Sequence, residues 1–328
     1  MRRRGLLAMI PGVLVISPSA PRAQPAPGAH RIGYLTGGTL ATRGPYFEAF
    51  RQGLQELGYR EGHNLVLDAR SADGRFDRLP AMAGELVGLK PDVLFVSTTP
   101  GSLAAKNATR TVPIVFAAVA DPLGIGLVES LARPGGNITG ITNVIVELTG
   151  KRLQLLKEVI PGATRVAILV NPDDANAPLQ MRSAEEAAQT LGIELRPVLP
   201  VRAVDDLDAA CRAAVQAGCH AALRMVDPTL ADQRRQIAEL SIKYRLPVML
   251  FFREDVDAGG LIAYGASNIV QYRQAAGLVH KILRGAKPAD LPVEQPNTYD
   301  LTVNLRTARA LGIDIPPTVL ARASEVIE

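Results

Sequence analysis

Residues 165–172 read Arg165-Val166-Ala167-Ile168-Leu169-Val170-Asn171-Pro172, five consecutive apolar residues closed by an asparagine and a proline. A strand with one face in water alternates apolar and polar residues, whereas a strand covered by helices on both faces reads as an unbroken apolar run. Val93-Leu94-Phe95-Val96 has the same character. Working outward, β-rich runs stand at Arg31–Thr36, Asn64–Arg70, Val93–Thr98, Ile114–Val119 and Val166–Asn171. Others follow at Glu194–Leu199, Ala221–Val226, Val248–Phe252, Leu261–Tyr264 and Leu301–Asn304. Amphipathic segments lie between them. Tyr46–Leu57 sets Phe47, Phe50, Leu54 and Leu57 at helical spacing ahead of Gly58, a helix stop. Leu79–Leu89, Glu147–Val159, Ala177–Leu191, Asp205–Ala217 and Gln271–Leu283 repeat that pattern. Strand, helix and strand joined by short links make βαβ units and parallel sheets, so a doubly wound α/β fold is expected.

The runs divide into two sheets. The first group ends near Gly135-Gly136-Asn137-Ile138-Thr139-Gly140, and the second begins at Glu147–Val159. The chain meets two further junctions, at Tyr264-Gly265-Ala266-Ser267 and at the proline-rich Pro288–Pro296. Three crossings between two Rossmann-like lobes form a multi-strand hinge with a ligand cleft between them. The expected division assigns residues 30–142 plus roughly 266–290 to an N-terminal lobe and 143–265 to a C-terminal lobe. Residues 291–328 form a crossover and terminal segment whose lobe the sequence leaves open.

At the start of the chain, Arg2, Arg3 and Arg4 precede a short apolar run from Gly5 to Ile16, and small residues lead on to Ala23. This is the pattern of a cleaved signal peptide over residues 1–23, with an apolar run too short to span a bilayer. No Cys stands near the junction, which argues against a lipid anchor. The mature protein is therefore expected in the periplasm. Four of the chain's 36 Lys+Arg fall in that segment and none of its 32 Asp+Glu, leaving 32 against 32 in the mature part. A neutral mature chain has no bulk electrostatic case for nucleic acid or an anionic membrane. His30, His63, His220 and His280 are scattered without metal-ligand spacing. Cys211 and Cys219 are expected as free, buried thiols, since a bond between them needs a sharp chain reversal.

Several longer blocks carry a family resemblance. Ala120-Asp121-Pro122-Leu123-Gly124 is followed by Ser130-Leu131-Ala132-Arg133-Pro134-Gly135-Gly136-Asn137-Ile138-Thr139-Gly140. Gly150-Lys151-Arg152-Leu153, the run at 165–172 and Gly285-Ala286-Lys287-Pro288 through Gln295-Pro296 continue it. Together these resemble the tryptophan/tyrosine-type ABC transporter substrate-binding proteins, a branch of the type I periplasmic binding fold. The resemblance spans residues 30–328. It implies a monomeric extracytoplasmic protein that captures a small solute by hinge closure and delivers it to an ABC permease with its ATPase subunits. An amino acid, aromatic in some members, is among the solutes it implies. A ligand-sensing subunit presenting its solute to a membrane receptor is the alternative use of the same fold. A repressor sharing the fold would carry a helix-turn-helix where this chain has its export-type segment.

In open α/β sheets ligands sit at the carboxyl ends of the strands. Thr36 and Gly37 follow the first run, and Ser97, Thr98 and Thr99 follow the third. Their hydroxyls and the N–H groups of a helix start suit a carboxylate, although each hydroxyl serves equally well as a cap for its own helix. From the opposite lobe come Asn171, Asp227 and Phe251. Asp227 is the residue expected to accept a ligand ammonium, with capping of the helix after Pro228 as its competing role. Tyr46 would add an apolar wall, and of Phe251 and Phe252 only one can face the cleft. Arg224 interrupts an apolar strand and is expected to reach the surface of an edge strand, with a place in the cleft as the other option. Gly33 through Gly38 is not a dinucleotide fingerprint, and Walker A and Gly-x-Ser-x-Gly patterns are lacking. No cofactor and no catalytic activity are expected.

Overall fold

The computed structural model describes residues 28–328, so the export signal read at residues 1–23 lies outside the described residues. The first sheet contains β1 (His30–Thr36), β2 (Leu65–Ser71), β3 (Val93–Ser97), β4 (Ile114–Val119) and β5 (Ile138–Thr142). Its order is β2-β1-β3-β4-β5 and every pair is parallel. The second contains β6 (Arg165–Val170), β7 (Glu194–Pro200), β8 (Ala221–Arg224), β9 (Val248–Leu250), β10 (Ile262–Gly265), β11 (Asp300–Asn304) and β12 (Glu325–Ile327). Its order is β7-β6-β8-β9-β10-β11-β12. Only β10 and β11 run antiparallel. Both lobes thus repeat one winding, in which the strand order reverses between the first and third strands: β1 and β3, then β6 and β8. That switch point parts the loops at the carboxyl edge and opens a crevice for a ligand.

The helices cover both faces. They are α1 (Leu40–Glu56), α2 (Leu79–Gly88), α3 (Thr99–Ala108), α4 (Ile145–Val159), α5 (Ala177–Leu191) and α6 (Asp206–Gln216). After them come α7 (Pro228–Asp232), α8 (Arg234–Lys243), α9 (Arg253–Asp257), α10 (Asn268–Leu283), α11 (Leu305–Leu311) and α12 (Pro317–Leu320). Successive residues of a strand point to opposite faces, and both destinations are apolar here. Val93 and Phe95 pack with Phe50, Tyr272 and Val279 from α1 and α10, while Leu94 and Val96 pack with Leu86 and Ala105 from α2 and α3. Val166 and Ile168 meet Leu153 and Leu156 of α4, and Ala167 and Leu169 meet Leu207 and Ile237 on the other side. Each fully buried side chain of this size contributes about 1.5–3 kcal/mol, which is why the continuous runs end up inside.

Some details differ from the sequence expectation, and the terminal segment it left open joins a sheet. Helix α1 starts at Leu40 rather than Tyr46, because Thr39 caps it, its Oγ1 accepting from Thr42 N at 3.2 Å, and Pro45 is tolerated within the helix. Strand β5 forms inside the segment read as a crossing, where a Cβ on Gly140 would collide with the Phe116 carbonyl. Residues 300–328 join the second sheet through β11 and β12, while Glu294 bridges to Ile141 at the edge of the first. Helix α10 packs along α1, so the chain returns to the first lobe between β10 and β11. Among the described residues no helix is long and apolar enough to cross a membrane.

Candidate functional site

The carboxyl edges of the two sheets face each other across a cavity lined from both lobes. The first lobe supplies Arg43, Thr98, Thr99, Ala118 and Ala120, and the second Asp174, Asn176, Val226, Asp227 and Phe252, with Asn143 and Asn268 at the hinge crossings. These residues follow the switch-point strands β1, β3, β6 and β8, with others from β4 and the hinge. Backbone strain gathers on the first-lobe rim. Thr98 (φ 70°), Ala118 (φ 56°) and Val144 (φ 48°) are three of the six non-glycine residues with positive φ among the described residues, and all three lie at or just past the carboxyl end of a strand. Such conformations cost about 1–3 kcal/mol each and persist where the surroundings enforce them, commonly at binding sites.

Of the residues singled out in the sequence, Thr98, Thr99 and Asp227 line the cavity. Thr36, Gly37 and Asn171 form its supporting layer. Thr36 Oγ1 accepts from Gly38 N and Thr98 Oγ1 from Gly37 N, each at 3.3 Å. Asn171 donates Nδ2 to Asp227 Oδ1 at 3.3 Å. Ser97 is occupied by the Tyr34 hydroxyl at 3.1 Å, and Tyr46 packs in the core against Tyr272, so neither belongs to the lining. Phe252, not Phe251, faces the cavity; Phe251 points inward beneath the Arg152 guanidinium.

Asp227 takes the capping role with one oxygen and leaves the other free. Oδ1 caps α7, accepting from Thr229 N at 2.8 Å and Leu230 N at 3.2 Å. Oδ2 is buried without a partner. Burial, and next the nearby Asp174 carboxylate, push the Asp227 carboxyl up to about 7. Asp174 itself is pushed up to about 6 by burial, although Asn176 donates to it from both its backbone and its side chain. Two buried acids sharing one cavity favour a cation beside them. The opposite wall has the opposite sign. Arg43 is buried, with Nε unpartnered, and it lies so close to Gly38 that a Cβ there would meet Nε at 2.5 Å. The start of α3 adds the Thr99 and Gly101 N–H groups, which have no acceptor inside their helix; Pro100 carries none and Ser102 N donates to the Thr98 carbonyl. Asn143 Oδ1, Asn176 Oδ1 and both amide atoms of Asn268 are likewise buried and unpartnered. Leaving such atoms bare costs about 1–3 kcal/mol each, and in a native site a ligand or water meets them.

The lobes touch around this cavity. Asp232, at the end of α7, accepts from Thr39 N at 3.0 Å and from the Thr42 hydroxyl, and lies 3.8 Å from the Arg43 guanidinium. Asn176 Nδ2 donates to Thr99 Oγ1 at 2.9 Å, also across the lobes.

Arg224 needs correction. Its strand β8 lies inside the sheet, between β6 and β9, not at an edge. The side chain is fully buried, reaching neither the surface nor the cavity lining, and its guanidinium binds Asp255 at 2.6 Å and the Leu230 carbonyl at 3.2 Å. Cys211 and Cys219 are free thiols, the first buried and the second half-buried.

The chain matches the family of ABC transporter substrate-binding proteins over residues 43–327. It belongs to that family. This ABC substrate-binding protein is 25% identical over 273 residues to a tyrosine-binding protein of Clostridioides difficile (strain R20291), covering 81% of this chain and 76% of the relative. Among solved structures, a conserved domain protein from Vibrio cholerae shares 30% identity and a TM-score of 0.85 over 91% of this chain and 99% of its own. An ABC domain from Streptococcus pneumonia in complex with L-Trp gives a TM-score of 0.84 at 24% identity, over 91% and 100%. A ligand-free, open substrate-binding protein from Clostridium difficile gives 0.67 at 25%, over 91% and 99%. The lower score against an open structure accords with lobes that are already in contact here. Arg43, Asn143, Asp174, Asn176 and Asn268 escaped the sequence reading. Asp174 and Asn176 were detectable as polar residues in the loop after 165–170, whereas Arg43 was hidden by the supposed helix start after Pro45.

Proposed function

We propose that this ABC substrate-binding protein captures an α-amino acid in the cleft between its lobes, closes on it, and delivers it to an ABC permease in the inner membrane. The observation that carries the reading is the pairing of unpartnered, buried polar atoms of opposite charge on facing walls: Asp227 Oδ2 on one lobe and Arg43 Nε on the other. The ammonium lies between Asp227 and Asp174. The carboxylate lies by Arg43 and the start of α3, where Thr98 and Thr99 stand. A zwitterion thereby bridges the lobes and stabilises the closed form through contacts the open form lacks. Residues 1–23 direct export, and the mature protein works as a periplasmic monomer.

Native mass spectrometry of the mature protein, purified without denaturation, tests the assignment by identifying any mass released on unfolding. A released amino acid supports it. A released compound without an amino group rules out the ammonium site at Asp227 while leaving solute capture intact. Co-purification of a permease with the tagged, solute-loaded protein tests delivery.

A further inference from the structure

The ammonium of an amino acid cannot by itself meet every acceptor that the cavity leaves bare. Among the described residues the lining holds four buried side-chain oxygens without a partner: Asp227 Oδ2, Asn143 Oδ1, Asn176 Oδ1 and Asn268 Oδ1. An ammonium offers three N–H groups, and Asp174 competes for them as well. At least one buried acceptor is therefore left over. A solute that leaves it bare forfeits the hydrogen bonds that water would have made there.

Charge decides which acceptors the ammonium takes first, because a bond between ions is roughly twice as strong as a neutral one. The carboxylates of Asp227 and Asp174 come ahead of any amide. Asn176 belongs to the same end, since its Nδ2 donates to Asp174 Oδ1 at 3.0 Å and to Thr99 Oγ1 at 2.9 Å, which leaves only its oxygen free. Asn143 and Asn268 remain. They come from the hinge crossings rather than from the loops that hold the acids. Asn143 follows β5, with its N–H held by the Val119 carbonyl at 3.0 Å. Asn268 opens α10 directly after Ser267, whose Oγ accepts from Val270 N at 3.4 Å. Both side chains are almost wholly buried, at 1% and 0% exposure, which is costly for an amide with no partner. Asn268 is bare at its oxygen and its nitrogen alike, so turning its amide over exchanges two free atoms and changes nothing.

We infer that Asn143 and Asn268 form a third polar pole of the site, which reads a hydrogen-bond donor on the solute's side chain: a hydroxyl, an amide or a ring N–H. Asn268 can accept and donate at once, and so suits a group that does both. This rests on the amino-acid reading of the site given above and adds to it the class of side chain that is selected.

Calorimetric titration of the ligand-stripped protein with matched pairs provides the test: L-tyrosine and L-phenylalanine, L-threonine and L-valine, L-glutamine and L-methionine. The members of each pair are close in shape, and only the first carries a side-chain donor. In the pair that binds most tightly, the donor-bearing member should be favoured by about tenfold or more. Asn143→Leu and Asn268→Leu should each bring that ratio towards one, a change of preference that a general loss of structure does not produce. Apolar members binding as tightly as their partners overturns the inference, since water then meets these amides. If that binding is lost in Asp227→Asn, the amino-acid reading survives and only the third pole falls. A preference undiminished in both leucine variants also overturns the assignment. If none of these amino acids binds, or if Asp227→Asn leaves binding unchanged, the third pole and the amino-acid reading fall together.

Discussion

Thr98 and Asp227 show how single residues are given over to the cleft. Thr98 occupies φ 70°, ψ 150°, a region favoured only by glycine, while its hydroxyl accepts from Gly37 N. Thr98→Gly relieves that strain of about 1–3 kcal/mol but strips Gly37 N of its buried acceptor and frees the unfolded chain, so stability should change by less than about 1 kcal/mol. Solute affinity should fall, because the loop loses its fixed shape. Chemical denaturation set beside calorimetry separates the two effects. The Asp227 and Asp174 carboxyls, raised from 3.8 to about 7 and about 6, keep protons in the folded state that the unfolded chain has already released. Stability of the solute-free protein therefore falls as pH rises from about 4 to about 7 and levels off above that. A solute ammonium reverses the preference by favouring the charged carboxylates, so its affinity should weaken as pH is lowered through the same interval. Thermal melts and titrations across pH 4–8 check both slopes, and Asp227→Asn should flatten each.

At the scale of elements, the buried ions behind the cavity hold its second-lobe wall. Asp255 accepts from Phe252 N at 3.0 Å at the start of α9 and pairs with Arg224, whose other end binds the Leu230 carbonyl in α7. One ion pair thus ties together the two short helices that present Phe252 and Asp227. Arg152 of α4 lies alongside, donating to the carbonyls of Leu250, Met249 and Arg224 at the ends of β9 and β8. Burial, and next the adjacent Arg224, lower Arg152 to about 9. Removing one partner of a buried pair leaves a charge uncompensated, so Arg224→Met should cost about 3–5 kcal/mol. Arg224→Met combined with Asp255→Leu should cost clearly less than the sum of the two single changes, as denaturant midpoints would reveal. Equal and additive costs would mean that the pair does not act as a unit. None of this was legible beforehand, because a lone arginine in an apolar strand does not announce a partner 31 residues later.

At the scale of the whole molecule, the two lobes are joined at Asp232, which gathers the α1 start and the Arg43 guanidinium onto α7. Asp232→Ala should favour the open form. Small-angle scattering should then show a larger radius of gyration without solute, and solute affinity should fall by about tenfold or more although Asp232 is not part of the cavity lining. Unchanged scattering and affinity would show that the lobes close without this contact.

Local pattern alone determined the architecture: continuous apolar runs alternating with helical periods require parallel sheets covered on both faces, and the winding then puts any cleft at the carboxyl edges. It also marked Thr98, Thr99 and Asp227, because the residues just after a strand belong to that edge by construction. The tertiary structure alone decided which side chains meet. Arg43 reaches the cavity because α1 begins six residues earlier than Pro45 implied, Phe252 faces it instead of Phe251, and Arg224 finds Asp255 inside the second lobe. These outcomes follow from helix starts, strand registers and long-range pairing, each settled by packing and charge compensation between segments far apart in the chain, which no local window contains.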